Sequence, residues 1–266
     1  MPFSTENYAR GSAPVKYEDL DFDAFEREPL SAETLRAVRY MCDVEYHTVC
    51  YLRDMLVTPS QGDPEVTTFM TMWNMEEFWH GEALAEVLAR HGIESDYDHL
   101  RNVRKRVGWK DKLDPIKHSL LANFAGHDYV AVHMIWGAVN EWSAIAAYNR
   151  LADTAKHTVL AQLLGRIAKQ ETRHVAFYAT QARKRLALSG KAQKLARFAL
   201  DRFWGPVGSG LMPESEVRHV LRYVMSGEAG YAAGRKIDES VQKLPGLHGL
   251  HIVERSLLAR GVPSTG

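Results

Sequence analysis

The feature that most constrains this chain is a glutamate and a histidine three residues apart, in the middle of a long apolar stripe. They are Glu171 and His174, within an apolar-periodic run from about Leu160 to Leu186. Residues three apart on a helix share one face. A carboxylate and an imidazole are costly to bury without partners. This face is therefore either wet or built to coordinate something.

The same pair occurs once more in the middle of a stripe. Glu77 and His80 interrupt the apolar face of a helix that we expect to begin at Asp63-Pro64 and to end before Gly92. An aspartate followed by proline is a typical helix start, and glycine is a typical stop. The sequence therefore predicts two helices that each present Glu-x-x-His to a buried face.

Two further predicted helices each carry one glutamate on an otherwise apolar stripe. The first begins after Ser31 and continues through Leu56, with Glu45 in mid-stripe and Val49 on the same buried face. The second covers Asp128 to Ala152 and carries Glu141. Stripes with steps of three and four residues are typical of helices that bury one face.

The order of these helices predicts the fold. A helix with one glutamate is followed by a helix with Glu-x-x-His, and this happens twice. No strand-like alternation of useful length appears, so we predict an all-α, ferritin-like four-helix bundle with ligands converging in its core. We expect one domain, with an N-terminal arm over 1–30, the bundle over 31–188 and accessory helices over 189–266.

The converging side chains predict a two-metal site. Four buried carboxylates repel one another unless cations neutralise them. Oxygen-rich ligation with one nitrogen per metal suits iron or manganese better than zinc. We expect two iron ions, with a manganese–iron pair as the alternative, bridged by Glu77 and Glu171. The predicted ligands are Glu45, Glu77, His80, Glu141, Glu171 and His174.

Other candidate residues are given structural roles. A third pair, Glu216 and His219, follows Pro213, where acidic residues in a first helical turn favour the helix dipole. We assign that pair to capping. His133 is at most a residue that supports a ligand. We expect the aromatic residues near the ligands, Trp73 and Tyr148 among them, to be core residues.

Composition bounds the partners. Lysine plus arginine equal aspartate plus glutamate at 33 each, which favours neither nucleic acid nor an anionic membrane. Cys42 and Cys50 lie roughly 12 Å apart on a helix, too far for a disulfide. With no signal peptide and no long apolar run, we expect a cytoplasmic protein without a membrane span. The basic cluster Arg101–Lys112 is interpreted as a solvated loop, or alternatively as a dock for an acidic carrier protein or ferredoxin. A short helix is expected over 115–124.

Two local motifs resemble a known family. The segment Trp73-Asn-Met-Glu-Glu-Phe-Trp-His-Gly81 resembles the Glu-Glu-x-Arg-His-Gly element of the acyl-[acyl-carrier-protein] desaturases, within the ferritin-like di-iron carboxylate superfamily. The segment Ile167-Ala-Lys-Gln-Glu-Thr-Arg-His174 resembles their Ile-Ala-x-Asp-Glu-x-Arg-His element. The similarity covers about 31–188. It implies an oxygen-activating di-iron enzyme, homodimeric, supplied with electrons by ferredoxin and acting on a carrier-bound acyl chain, with the six residues above as iron ligands.

The sequence departs from that family where protons and electrons are delivered. Gln170 replaces an acid, Val175 replaces another, Ala144 replaces a threonine and Trp79 replaces an arginine. The metal site therefore carries over better than the desaturase outcome. A hydroxylase or oxidase acting on another apolar substrate is the main alternative, followed by a non-catalytic iron-binding bundle and an interaction protein that retains the fold.

Overall fold

The computed structural model describes residues 3–106 and 122–264. No β-strand occurs in these two ranges, which confirms the all-α prediction. Residues 97–106 are helical, and Pro59–Gly62 form a short 3-10 turn. The remaining helices are α1 (Thr5–Gly11), α2 (Ala24–Arg27), α3 (Ala32–Tyr46), α4 (Thr48–Met55), α5 (Pro64–Ala89), α6 (Asp128–Ala155), α7 (Thr158–Leu188), α8 (Gly190–Phe203), α9 (Glu214–Met225), α10 (Gly227–Gln242) and α11 (Ile252–Ala259).

Four helices form the central bundle, and local sequence sets their ends. Helix α3 packs on α5, and α6 packs on α7. The Asp63 carboxylate accepts hydrogen bonds from the first backbone amides of α5, as predicted for an N-cap. At the other end of α5, Gly92 has a φ of +69°, a left-handed conformation that favours glycine. Ser189 separates α7 from α8, and its hydroxyl caps α8.

The first helix of the bundle is not continuous, and the prediction of one helix through Leu56 was wrong. Helix α3 ends at Tyr46, and His47 adopts φ −104° and ψ 6°. The His47 Nδ1 lies 2.5 Å from the carbonyl oxygen of Asp43. The Thr48 hydroxyl donates to the carbonyl of Glu45 at 2.8 Å. Side chains thus replace the next backbone amides as partners of these carbonyls, which stabilises the break.

The break moves the later part of the predicted stripe out of the core. Val49 and Leu56 were expected on the buried face, but they are 40% and 50% exposed. Because the backbone angles of His47 interrupt the helix, the 3.6-residue period of α3 does not continue into α4.

Close helix packing inside the bundle depends on two glycines. A Cβ atom at Gly137 on α6 would lie 2.3 Å from the ring of Tyr178 on α7. A Cβ atom at Gly81 on α5 would lie 3.0 Å from the ring of Tyr46 on α3. Both aromatic rings are buried beside the ligand-bearing turns. The missing side chains allow the helix backbones to approach closely.

The remaining segments cover the bundle. Helix α1 packs on α5 and buries Tyr8. Helices α8, α9 and α10 pack on α6, and α9 also packs on α3. No helix in the described parts of the chain is long and apolar enough to cross a membrane. Cys42 and Cys50 are not joined by a disulfide. The helix predicted over 115–124 and the second half of the basic cluster lie largely outside the described residues.

Candidate metal centre

The structure brings all six predicted ligands together. They form two overlapping groups, and in each group one ligand atom per residue lies within 4.8 Å of all the others. The bridging glutamates predicted from the sequence belong to both groups. The first group is Glu45, Glu77, His80 and Glu171; the second is Glu77, Glu141, Glu171 and His174.

Each bundle helix contributes its ligands from one buried turn. Glu45 lies on α3 and Glu141 on α6, and they are 6% and 5% exposed. Helices α5 and α7 each contribute a glutamate and a histidine one turn apart, and all four of those side chains are at most 2% exposed. Because i and i+3 side chains share a face, each Glu-x-x-His pair points into the same space between the helices.

Both imidazoles direct Nδ1 toward the carboxylates. His80 Nδ1 lies 3.2 Å from Glu77 Oε2 and 3.2 Å from Glu171 Oε1. His174 Nδ1 lies 2.6 Å from Glu171 Oε2 and 3.2 Å from Glu77 Oε1. Both Nδ1 atoms could therefore coordinate a metal ion that is held by these carboxylates.

The opposite ring nitrogen of His80 faces an amide. His80 Nε2 lies 2.8 Å from Gln170 Oε1. The amide nitrogen of Gln170 donates to the carbonyl of Ala13 at 3.1 Å, so its oxygen must be the atom that faces the imidazole. An amide oxygen only accepts, so His80 carries its proton on Nε2 and its Nδ1 is available as a metal ligand.

The opposite ring nitrogen of His174 faces a carboxylate. His174 Nε2 lies 2.8 Å from Glu76 Oε2, and the Tyr8 hydroxyl donates to the same oxygen at 2.8 Å. Arg173 lies 3.4 Å from Glu76 Oε1. The carboxylate accepts a hydrogen bond from the Nε2–H group, which again leaves Nδ1 available for a metal.

Two aromatic side chains orient the glutamates that belong to one group each. The Tyr148 hydroxyl donates to Glu45 Oε1, and the Trp73 indole Nε1 donates to Glu141 Oε1 at 3.0 Å. Both rings are buried, but they are more than the core residues that the sequence predicted. Each lies on the same stripe as a ligand, Trp73 one turn before Glu77. That shared face is the sequence signal for their role.

The four carboxylates do not ionise equally without metal. Burial and the charge of Glu77 raise the pKa of Glu45 well above its ordinary value. Burial and the charge of Glu171 do the same to the pKa of Glu141. Burial also raises the pKa of Glu77 and Glu171, but a hydrogen bond with Glu45 and the two imidazoles lower the pKa of Glu77, and the imidazoles lower that of Glu171. The pKa shifts therefore favour ionisation of the shared glutamates over ionisation of Glu45 and Glu141.

The imidazoles balance that charge. Burial lowers the pKa of His80, but the charges and hydrogen bonds of Glu171 and Glu77 together outweigh burial and raise that pKa to about 10. His174 is shifted in the same direction for the same reason. Because the pKa values of both imidazoles, Glu45 and Glu141 are raised, metal binding at these residues would displace protons.

Unsatisfied atoms support the same fit. Glu77 Oε1 and Glu171 Oε1 are buried and make no hydrogen bond of good geometry within the described structure, although an imidazole Nδ1 lies 3.2 Å from each. Burying a carboxylate oxygen without a good partner costs free energy, and coordination to a divalent metal ion would supply that partner. The six residues therefore fit two metal ions, with Glu77 and Glu171 shared between them.

The carboxylate side of the centre opens into a cavity of about 550 Å³. Glu45, Glu77, Glu141 and Glu171 line it, whereas the two histidines lie on the closed side beneath the N-terminal arm. Its wall includes helix α4 and residues 203–211. A second chamber of about 90 Å³ shares Val44, Glu45 and Ala144 with it. That chamber is almost wholly apolar and extends between α3, α6, α9, α10 and α11.

The other candidate residues lie elsewhere. Glu216 is in the first turn of α9, where it pairs with Arg36 at 2.7 Å, and His219 contacts the same guanidinium. The third Glu-x-x-His pair is therefore not part of the centre, as predicted. His133 Nδ1 bonds the hydroxyl of Ser60 at 2.7 Å rather than a ligand.

Comparison with known proteins identifies the architecture. No protein-family model and no curated protein sequence matches the chain. Among solved structures, a mutant R2-like ligand-binding oxidase with an aerobically reconstituted Mn/Fe cofactor is similar over 96% of this chain and 89% of its own, with 15% identity and a TM-score of 0.55. The fold is ferritin-like.

A second solved structure agrees. It is an R2-like ligand-binding oxidase with an aerobically reconstituted metal cofactor after photoconversion, similar over 98% of this chain and 93% of its own, with 17% identity and a TM-score of 0.55. These oxidases belong to the ferritin-like di-iron superfamily. The structural similarity thus extends over nearly the full length of this chain and of theirs.

Proposed function

We propose that this chain is a di-iron, O₂-dependent oxidoreductase that oxidises an apolar substrate, with a manganese–iron centre as the alternative metal content. One observation carries the proposal: two overlapping carboxylate–histidine groups open on one side into a cavity that adjoins an almost wholly apolar chamber. The R2-like ligand-binding oxidases that share the fold carry Mn/Fe or other metal cofactors, which supports the choice of metals. A bound iron pair would supply oxygen activation.

Different residues of the centre would hold the metals, orient the carboxylates and admit the substrate. Glu77 and Glu171 would hold both metals, and Glu45 and Glu141 would each hold one. Tyr148 and Trp73 keep those last two carboxylates oriented. Cavities of about 300–1,000 Å³ with apolar walls are typical of sites for small-molecule ligands. The cavity of about 550 Å³ therefore has room for a substrate on the carboxylate side, and the almost wholly apolar chamber beside it would take an apolar part of that substrate.

For the substrate we propose an acyl chain, in continuity with the desaturase-like motifs at 73–81 and 167–174. Removal of two hydrogens to form a double bond consumes one O₂, two electrons and two protons and releases two waters. Hydroxylation of the same chain uses the same electrons and protons but releases one water. A ferredoxin-type donor would supply the electrons, and an acyl-carrier protein would deliver the chain to a homodimer in the cytoplasm.

The test is product analysis with matched variants. The full chain is loaded with Fe²⁺ without oxygen and then given O₂, ferredoxin, its reductase and an acyl-carrier-protein thioester or a free fatty acid. A product lighter by two hydrogens indicates desaturation, and one heavier by an oxygen atom indicates hydroxylation. Glu171→Ala should abolish either product. Glu216→Ala, in the Glu-x-x-His pair outside the centre, should not. If the iron-loaded chain forms no O₂-dependent product with any apolar substrate, the proposal is contradicted.

A further inference from the structure

The two halves of the centre are supported reciprocally but not identically. The residue before each shared glutamate reaches across to the imidazole on the other helix. Glu76 on α5 contacts His174 on α7, and Gln170 on α7 contacts His80 on α5, each at 2.8 Å. One supporting group is a carboxylate and the other is a neutral amide.

The carboxylate is fixed in place by the N-terminal arm. The Glu76 side chain is fully buried. Its Oε2 accepts the hydroxyl proton of Tyr8 at 2.8 Å, and its Oε1 accepts the amide of Ala13 at 3.4 Å. Tyr8 is itself only 3% exposed. Glu76 therefore cannot turn to solvent, and its remaining acceptor position stays on His174.

The amide is fixed as well, but it carries no charge. Gln170 donates to the carbonyl of Ala13, which holds its oxygen on His80. The same residue of the arm thus positions both supporting side chains. The geometry around the two imidazoles is alike, so the difference between them is one of charge.

That difference in charge should change how strongly each imidazole binds a metal ion. A histidine whose N–H is accepted by a carboxylate is a stronger metal ligand than one whose N–H is accepted by a neutral group. The directly ligating residues do not favour either side, because each group has one histidine, one glutamate of its own and the two shared glutamates. Among the side chains bonded to the two imidazoles, the charge of Glu76 is therefore the difference between the two sides.

Arg173 offsets only part of this charge. Its guanidinium lies 3.4 Å from Glu76 Oε1, whereas His174 bonds Oε2 at 2.8 Å. The Arg173 side chain is also 34% exposed, so water screens it, while Glu76 is shielded. The His174 side keeps the more negative surroundings.

We propose that the two metal positions are inequivalent and that the position at His174 binds a divalent ion first and more tightly, with Glu76 as a positioning residue that acts through His174. The proposal rests on the proposed function only in requiring a two-metal centre. It concerns the binding of metal and not the oxidation that follows.

The experiment is a titration of the metal-free full chain with Co²⁺ without oxygen, followed by calorimetry. The wild type should bind in two steps, the first at least about tenfold tighter than the second. Glu76→Gln should weaken the tight step by about 10–100-fold and leave the other step nearly unchanged. Gln170→Glu should strengthen the weaker step. Glu86→Gln, on the same helix but on the surface, is the matched control.

Tyr8→Phe gives a second route if Glu76→Gln does not fold. It keeps the carboxylate and removes one hydrogen bond that holds it, so the tight step should weaken by less than in Glu76→Gln. Two equal steps in the wild type, or a first step that neither variant changes, would overturn the inequivalence and leave the proposed function standing. A chain that binds no metal at all would instead contradict the proposed function.

Discussion

The helix pair α3–α5 and the helix pair α6–α7 supply the same set of ligands, but they are built differently around it. Helix α3 stops one residue after Glu45, whereas α6 continues past Glu141 to Ala155. The break in the first pair places α4 in the wall of the cavity. The centre therefore requires only that one turn of each bundle helix lies level with the corresponding turns of the other three. The chain beyond that turn is free to shape access to the centre.

The largest effects are expected when a candidate ligand is removed from both groups or from one group only. Glu77→Ala should lose both metals, because Glu77 belongs to both groups. Glu45→Ala and Glu141→Ala should each retain one metal per chain. Metal content after desalting measures this, with circular dichroism to show that the helices remain. Two metals retained by Glu77→Ala would contradict the shared role.

The next largest difference between the two helix pairs is expected in how well each tolerates alanine at its closely packed glycine. Gly137→Ala should lower the free energy of unfolding by about 2–3 kcal/mol, because the new methyl group would overlap the fully buried ring of Tyr178. Gly81→Ala meets its ring at 3.0 Å, and the helix preference of alanine offsets part of the strain, so we expect a loss below about 1 kcal/mol. Urea unfolding of the metal-free chains measures both. Equal losses would show that the two contacts are not different.

The aromatic donors allow each pair to be weakened alone. Tyr148→Phe removes the hydrogen bond to Glu45, so metal affinity should fall about tenfold at the His80 position. Trp73→Phe removes the bond to Glu141 and should act at the His174 position instead. Metal titration with each variant distinguishes the two. If both variants weaken the same binding step, the assignment of one donor to each position is wrong.

The smallest expected effect concerns the break itself. Thr48→Ala removes the hydroxyl that bonds the carbonyl of Glu45 and accepts from Asn74, at a cost of about 1 kcal/mol in unfolding free energy. Thr48→Ser keeps the hydroxyl and is the control. The corresponding residue after Glu141 is Ala144, within the unbroken helix α6. A Thr48→Ala variant as stable as the Ser variant would show that the hydroxyl does not stabilise the break.

Much of the centre could be predicted from the sequence, because its signal is local. Glu77 with His80 and Glu171 with His174 stand one turn apart on apolar faces, and burying such groups requires a partner. The supporting residues left a weaker signal. Glu76 and Gln170 each precede a shared glutamate, but which imidazole each one contacts depends on how two distant helices face each other. The sequence showed Gln170 as a departure from the desaturase motif, and the structure shows that the buried acid stands on the other side of the centre.

What the sequence alone determined is the helical class, most ends of the long helices and the six candidate metal ligands. These follow from the 3.6-residue period, from capping residues such as Asp63, and from the cost of a buried charge. What only the tertiary structure decided is the break at His47, the cavity on the carboxylate side and the reach of Tyr8 from the arm to Glu76. These depend on contacts between segments far apart in the chain, which local periodicity does not encode.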